Sequence, residues 1–106
     1  MNKARVLIVD DEKDNLNALR RLLRSHFEVF TANNGDEALE LVQKQPPFDV
    51  LVSDQRMPGM TGSQFFERVQ AFTPQSTRIL LTGFADLEAV IEAVNNGHIW
   101  RYISKP

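Results

Sequence analysis

Cysteine is absent from the 106 residues, which excludes a disulfide framework and any thiolate metal site and fits a reducing compartment, with the cytoplasm as the default. Histidine is nearly absent: His26 and His98 stand apart, without ligand partners at useful spacing, and read as surface or cap residues. Long apolar runs are missing too. The N-terminal segment MNKARVLIVDDEKD ends its apolar run of about four residues in acids, far too short for the core of a signal peptide. No later stretch approaches the roughly 20 apolar residues of a membrane span. Charge of one sign is never concentrated, because the net charge of −2 comes from interspersed acids and bases. That pattern excludes a polyanion-binding surface and direct nucleic-acid binding by this segment.

What is present is a 42% hydrophobic chain, enough for one compact core but not two, in which short apolar runs alternate with segments of helical periodicity. Val6-Leu7-Ile8-Val9 is a β-branched-rich run of the kind that forms a central parallel strand buried on both faces, and it ends in two aspartates. Residues 15–26 form the first predicted helix, with Leu16, Leu19, Leu22 and Leu23 on its inner face and Asp14 as its N-cap. Residues 28–32 form a second strand. Asn34-Gly35-Asp36 then opens a helix carrying Ala38, Leu41 and Val42, which Pro46-Pro47 stops. A third strand, Val50-Leu51-Val52-Ser53, runs straight into Asp54, and a Pro- and Gly-bearing loop over residues 55–62 leads to a third helix over residues 63–72. Residues 78–82 make a fourth strand. Gly83 turns the chain, Asp86 caps a fourth helix with Leu87, Val90, Ile91 and Val94 inward, and Gly97 suits its end. Residues 100–104 are the last strand, before Lys105-Pro106. This βαβαβαβαβ order predicts an α/β fold, an open doubly wound parallel sheet with helices on both faces and ligands at the carboxyl ends of the strands.

Those ends carry the chemistry: Asp10 and Asp11 after strand one, Asp54 after strand three, Thr82 after strand four and Lys105 after strand five. Three carboxylates packed together repel, so the cluster calls for a cation or a lysine as counter-charge. Oxygen ligands without His or Cys point to a hard ion, Mg²⁺ by preference, which keeps several waters and leaves room for a phosphate. A carboxylate can attack phosphorus to give an aspartyl phosphate when a metal and a fixed cation neutralise the transferring group. Lys105 supplies such a cation, and the Thr82 hydroxyl could donate to a phosphate oxygen that exists only after transfer.

The segments Val6-Leu7-Ile8-Val9-Asp10-Asp11-Glu12, Val50-Leu51-Val52-Ser53-Asp54 with Met57-Pro58-Gly59-Met60 and Gly62, Leu81-Thr82-Gly83, and Tyr102-Ile103-Ser104-Lys105-Pro106 closely resemble the receiver domains of bacterial two-component response regulators. The match spans the chain, in the family's order and spacing. The resemblance implies a flavodoxin-like five-stranded parallel sheet of order 2-1-3-4-5. It implies that Asp54 is phosphorylated in a Mg²⁺-dependent reaction, with Mn²⁺ as a substitute ion. Asp11, Asp54 and the backbone carbonyl of Arg56 would ligate the metal, Asp10 would reach it through water, and Lys105 and Thr82 would contact the phosphoryl group. Thr82 and Tyr102 would then be the switch residues, Tyr102 swinging inward as Thr82 moves. The partners implied are a histidine kinase or phosphotransfer protein, a C-terminal output domain or partner protein, and a second copy in a homodimer. Enzymatic activity would be limited to self-phosphorylation and self-dephosphorylation. The family often holds the bond before Pro106 in cis. It also carries a fifth helix after the Lys-Pro pair, so the resemblance implies a receiver over residues 1–106 that stops before its final helix. Arg56 and Phe84 stand two residues beyond Asp54 and Thr82, where large side chains lie in the path of attacking water.

Simpler readings exist for each residue alone. Asp10-Asp11 could be a loop pair, Lys105 a solvated lysine, Thr82 a strand terminator, and Tyr102 cross-strand packing. The Met57-Pro58-Gly59-Met60 stretch shapes its loop under any reading, and Trp100 beside Arg101 suits an interface or simple packing equally. Two other functions use the same residues less well. A magnesium-dependent phosphotransferase or phosphatase acting on small molecules would need an insertion to enclose its substrate, and none is present. A flavodoxin-like cofactor binder would need a Gly-rich phosphate loop where Asp10-Asp11-Glu12-Lys13 stands.

Overall fold

A computed structural model describes residues 3–45 and 47–82, and the backbone of residues 101–104. In chain order the elements are β1 (Ala4–Val9), α1 (Lys13–Leu23), β2 (Phe27–Ala32), α2 (Gly35–Lys44), β3 (Val50–Asp54), α3 (Gly62–Val69), β4 (Thr77–Thr82) and β5 (Arg101–Ser104). The strands form one parallel sheet of order β2-β1-β3-β4-β5, as expected. The predicted fourth helix, Gly97 at its end and the Lys105-Pro106 bond lie outside the described residues.

Period-two alternation along β1 explains the layers. Leu7 and Val9 join Ala38 and Val42 of α2, Leu51 and Leu80 of the sheet, and Phe65, Phe66 and Val69 of α3 in one buried cluster. Val6 and Ile8 point the other way, onto Leu16 of α1. One strand thus feeds two cores, which is why its apolar run is continuous rather than alternating. Burying a phenylalanine such as Phe65 or Phe66 contributes roughly 1.5–3 kcal/mol.

At the amino end of the sheet, the Arg5 guanidinium lies 4.6 Å from the Phe30 ring centroid and 5.2 Å from that of Phe48. The two rings meet edge to face. Arg5 and Asp49 are tied twice, the Arg5 N–H donating to the Asp49 side-chain Oδ2 at 2.7 Å and the Asp49 N–H to the Arg5 carbonyl at 2.9 Å. Arg78 of β4 is buried, and burial pushes its guanidinium below its ordinary pKa.

Three local expectations need correction. The N-cap of α1 is Glu12, not Asp14, because the Glu12 N–H is taken by Asp10 Oδ1 and its carbonyl already accepts from Leu16 N–H. The chain therefore turns helical earlier, and Asp14 falls in the first turn, where the helix dipole favours an acid. Leu22 is 71% exposed rather than inward. The buried stripe of α1 is Leu16, Leu19 and Leu23, and at 100° per residue Leu22 lies well off it. Finally, α3 ends at Val69, whose carbonyl accepts from both Phe72 and Thr73 N–H, and Pro74 disfavours helical geometry at the residue before it.

The second helix starts as its sequence suggests, with Asn34 Oδ1 accepting from Glu37 N–H at 2.8 Å. Asn34→Ala is expected to lower stability by about 1 kcal/mol, seen as a lower urea midpoint; an unchanged midpoint would show that this cap contributes nothing. Among the described residues, no helix is long and apolar enough to cross a membrane.

Candidate functional site

Parallel register brings the strand ends to one edge. Val9 pairs with Ser53, Asp54 with Leu81, and Thr82 with Ser104, so Asp10, Asp54 and Thr82 stand side by side just past or at the last ladder positions. Asp10, Asp54 and Thr82 are buried, whereas Asp11 is exposed at the mouth. The carboxylates of Asp10, Asp11 and Asp54 bring oxygens within 4.8 Å of one another. A donor set of three acids at that spacing could hold a hard cation, which would relieve a repulsion otherwise built into the fold.

Asp10 is oriented by its own chain. Its Oδ1 accepts from Glu12 N–H at 2.9 Å and its Oδ2 from the Asn15 amide at 3.3 Å. Both oxygens thus have protein donors, which suits a carboxylate acting through an intermediary better than one binding a cation outright.

The loop after Asp54 is shaped from both ends. Met57 and Met60 are buried in the larger core, while Arg56 between Gln55 and Met57 is exposed. Gly59 turns the loop at φ +81°, left-handed backbone that other residues rarely adopt. Thr61 and Gln64 form a capping box at the start of α3, each side chain accepting from the other's backbone N–H. Gly62 runs so close to the acceptor strand that a Cβ there would lie 2.5 Å from the Asp54 carbonyl oxygen and 2.6 Å from Leu80 Cδ1.

The structure therefore gathers Asp10, Asp11, Asp54 and Thr82. Tyr102 lies in β5 opposite Leu80, with its backbone alone described, and Lys105 and Phe84 lie outside the described residues. Two residues that the sequence reading passed over also belong to this edge. Asn15, read only as a helix start, holds Asp10. Gln55, read only as loop, is buried, and its Oε1 accepts from Ser63 N–H and Oγ. Strand alternation was the available signal for Gln55, since it continues the inward series Leu51, Ser53.

Comparison with known proteins points the same way. The family profile described as the response regulator receiver domain matches residues 6–106. The chain is 44% identical over 104 residues to the hydrogenase transcriptional regulatory protein HoxA of Cupriavidus necator, covering 98% of this chain and 21% of that protein. It is 38% identical to the regulatory protein AtoC of Escherichia coli, covering 96% of this chain and 22% of that protein. The chain thus spans about a fifth of the length of these relatives. Among solved structures, the adenylate cyclase from Rhodopirellula baltica superposes with a TM-score of 0.95 at 42% identity, covering 100% of this chain and 78% of that one. A response regulator receiver domain protein from Clostridium thermocellum gives 0.90 at 32% identity, over 97% and 82% of the two chains.

Proposed function

This chain belongs to the response regulator receiver domain family of two-component signalling, and from that premise we propose that Asp54 accepts a phosphoryl group from a histidine kinase or phosphotransfer protein. The observation that carries the reading is the placement of a buried carboxylate at the last position of β3, flanked by two further acids and a buried hydroxyl.

Asp11, Asp54 and the backbone carbonyl of Arg56 would hold Mg²⁺, or Mn²⁺ in its place, with Asp10 acting through water. The bound ion supplies positive charge against the oxygens of the transferring group. An Asp54 carboxylate oxygen forms the new bond to phosphorus while the bond from phosphorus to the donor nitrogen breaks, the donor imidazole keeping that electron pair. Lys105 adds a fixed cation, and Thr82 donates its hydroxyl to a phosphoryl oxygen once transfer is complete. Drawing Thr82 toward the phosphoryl group shifts β4 against β5, and Tyr102 follows inward. That is a two-state change which an attached output domain, a partner protein or a second copy could read in the cytoplasm. Self-phosphorylation and self-dephosphorylation would be its whole catalytic repertoire.

With Mg²⁺ and acetyl phosphate, intact mass should show one phosphoryl adduct on the wild type and none on Asp54→Asn. Equal labelling of both proteins, or of neither, would remove the assignment.

A further inference from the structure

We propose that Gln55 is a positioning residue for metal binding: it locks the loop so that the backbone carbonyl of Arg56 is held in place beside Asp11 and Asp54. The inference rests on the metal site just described.

Gln55 is 7% exposed, and burying an amide is unfavourable unless its polar atoms are bonded. Its side-chain oxygen accepts two bonds, from Ser63 N–H at 2.8 Å and Ser63 Oγ at 2.7 Å. Its backbone N–H donates to the Leu81 carbonyl at 2.9 Å, and its carbonyl accepts from Gly62 N–H at 3.1 Å. The residue after the acceptor thus joins the end of β4 to the start of α3. Arg56 is the next residue, and Met57 beyond it is anchored in the core. With both neighbours fixed, the direction of the Arg56 carbonyl depends on that residue's own two backbone dihedrals.

A helix-starting role does not account for these bonds. The capping box of Thr61 and Gln64 already closes the first turn of α3, so the additional bond from Ser63 to Gln55 acts on where the loop sits rather than on whether the helix forms. Ligands on a loop bind a small ion well only when held near their final geometry, because Mg²⁺ demands near-ideal octahedral placement.

The test is calorimetric titration with Mg²⁺ alone on folded protein, well below the melting temperature. Gln55→Met keeps the length of the side chain and removes the acceptor, and it is expected to raise Kd about tenfold, in the range seen for residues that orient metal ligands. Ser63→Ala, which removes one of the two bonds, should raise it by about twofold to threefold, and the double variant should bind no worse than Gln55→Met, because both act through one contact. Wild-type affinity in Gln55→Met, or additive losses in the double variant, would overturn the proposal. If Gln55→Met does not fold, Ser63→Ala decides alone, an unchanged Kd counting against it. Asp11→Asn separates the two readings. Should it bind Mg²⁺ as the wild type does, the metal site itself is wrong and the role of Gln55 falls with it. If it loses binding while Gln55→Met does not, Gln55 alone is refuted.

Discussion

Alanine at position 62 is expected to lower stability by about 2–3 kcal/mol, the scale of overpacking in a tightly filled interior. The added Cβ would meet the Asp54 carbonyl oxygen at 2.5 Å, Leu80 Cδ1 at 2.6 Å and Ser53 Oγ at 3.1 Å. Leucine can rotate aside, but the carbonyl cannot move without shifting the peptide of the acceptor residue. Gly59→Ala is the natural control, since its Cβ would meet nothing within 4 Å and only its φ of +81° opposes the change. That variant should lose about 1–2 kcal/mol, the strain of left-handed backbone. Urea midpoints at constant m-value compare the two directly. A Gly62→Ala midpoint at or above that of Gly59→Ala would mean that the strand and helix separate without difficulty, contrary to the packing described.

Asp11→Asn should reverse its sign with the metal. In a chelator, removing one of three neighbouring carboxylates relieves repulsion. Two unit charges at that spacing interact by roughly 4 kcal/mol in a protein-like dielectric, and the exposure of Asp11 reduces the gain to about 1 kcal/mol. The variant should therefore melt higher than the wild type when no divalent ion is present. In Mg²⁺ at a hundred times its Kd, the wild type gains about 2.7 kcal/mol by mass action, while the variant gains little. The two melting curves should exchange order as Mg²⁺ is added. A variant that is less stable in chelator yet gains as much from Mg²⁺ as the wild type would show that Asp11 is neither strained by its neighbours nor a ligand.

The alternation of strands and helices and the acids at the strand ends were legible in the sequence because both depend on short-range patterns, whereas the strand order, which joins segments far apart in the chain, came from the family resemblance. Four apolar residues followed by Asp10-Asp11, and three apolar residues and a serine followed by Asp54, announce a buried strand and its functional end together. Helix starts were legible where a side chain is the cap, as at Asn34, and illegible where backbone geometry is the cause. Glu12 makes no side-chain cap, and its position follows from Asp10 catching its N–H. The phase of α1 was likewise ambiguous: four leucines fit one stripe loosely, and only contact with Val6 and Ile8 selects Leu16, Leu19 and Leu23 over Leu22. Gln55 escaped notice for a related reason. A lone glutamine in a polar loop looks solvated until α3 places Ser63 against it.

The place of β1 has a consequence for how the chain comes together as it is made. The first strand of this sheet to be synthesised is an interior one, with β2 on one side and β3 on the other. Its pairing with β2 becomes available early, but the edge that joins Val6 to Val50 must wait until the whole second helix has been translated. In that interval an apolar strand presents a row of unpaired peptide groups, a surface that another nascent copy could join. Contacts so distant along the chain also close slowly, because the intervening segment loses freedom before they form. The same central strand that later delivers Asp10 to the site therefore sets the pace of assembly and its main hazard.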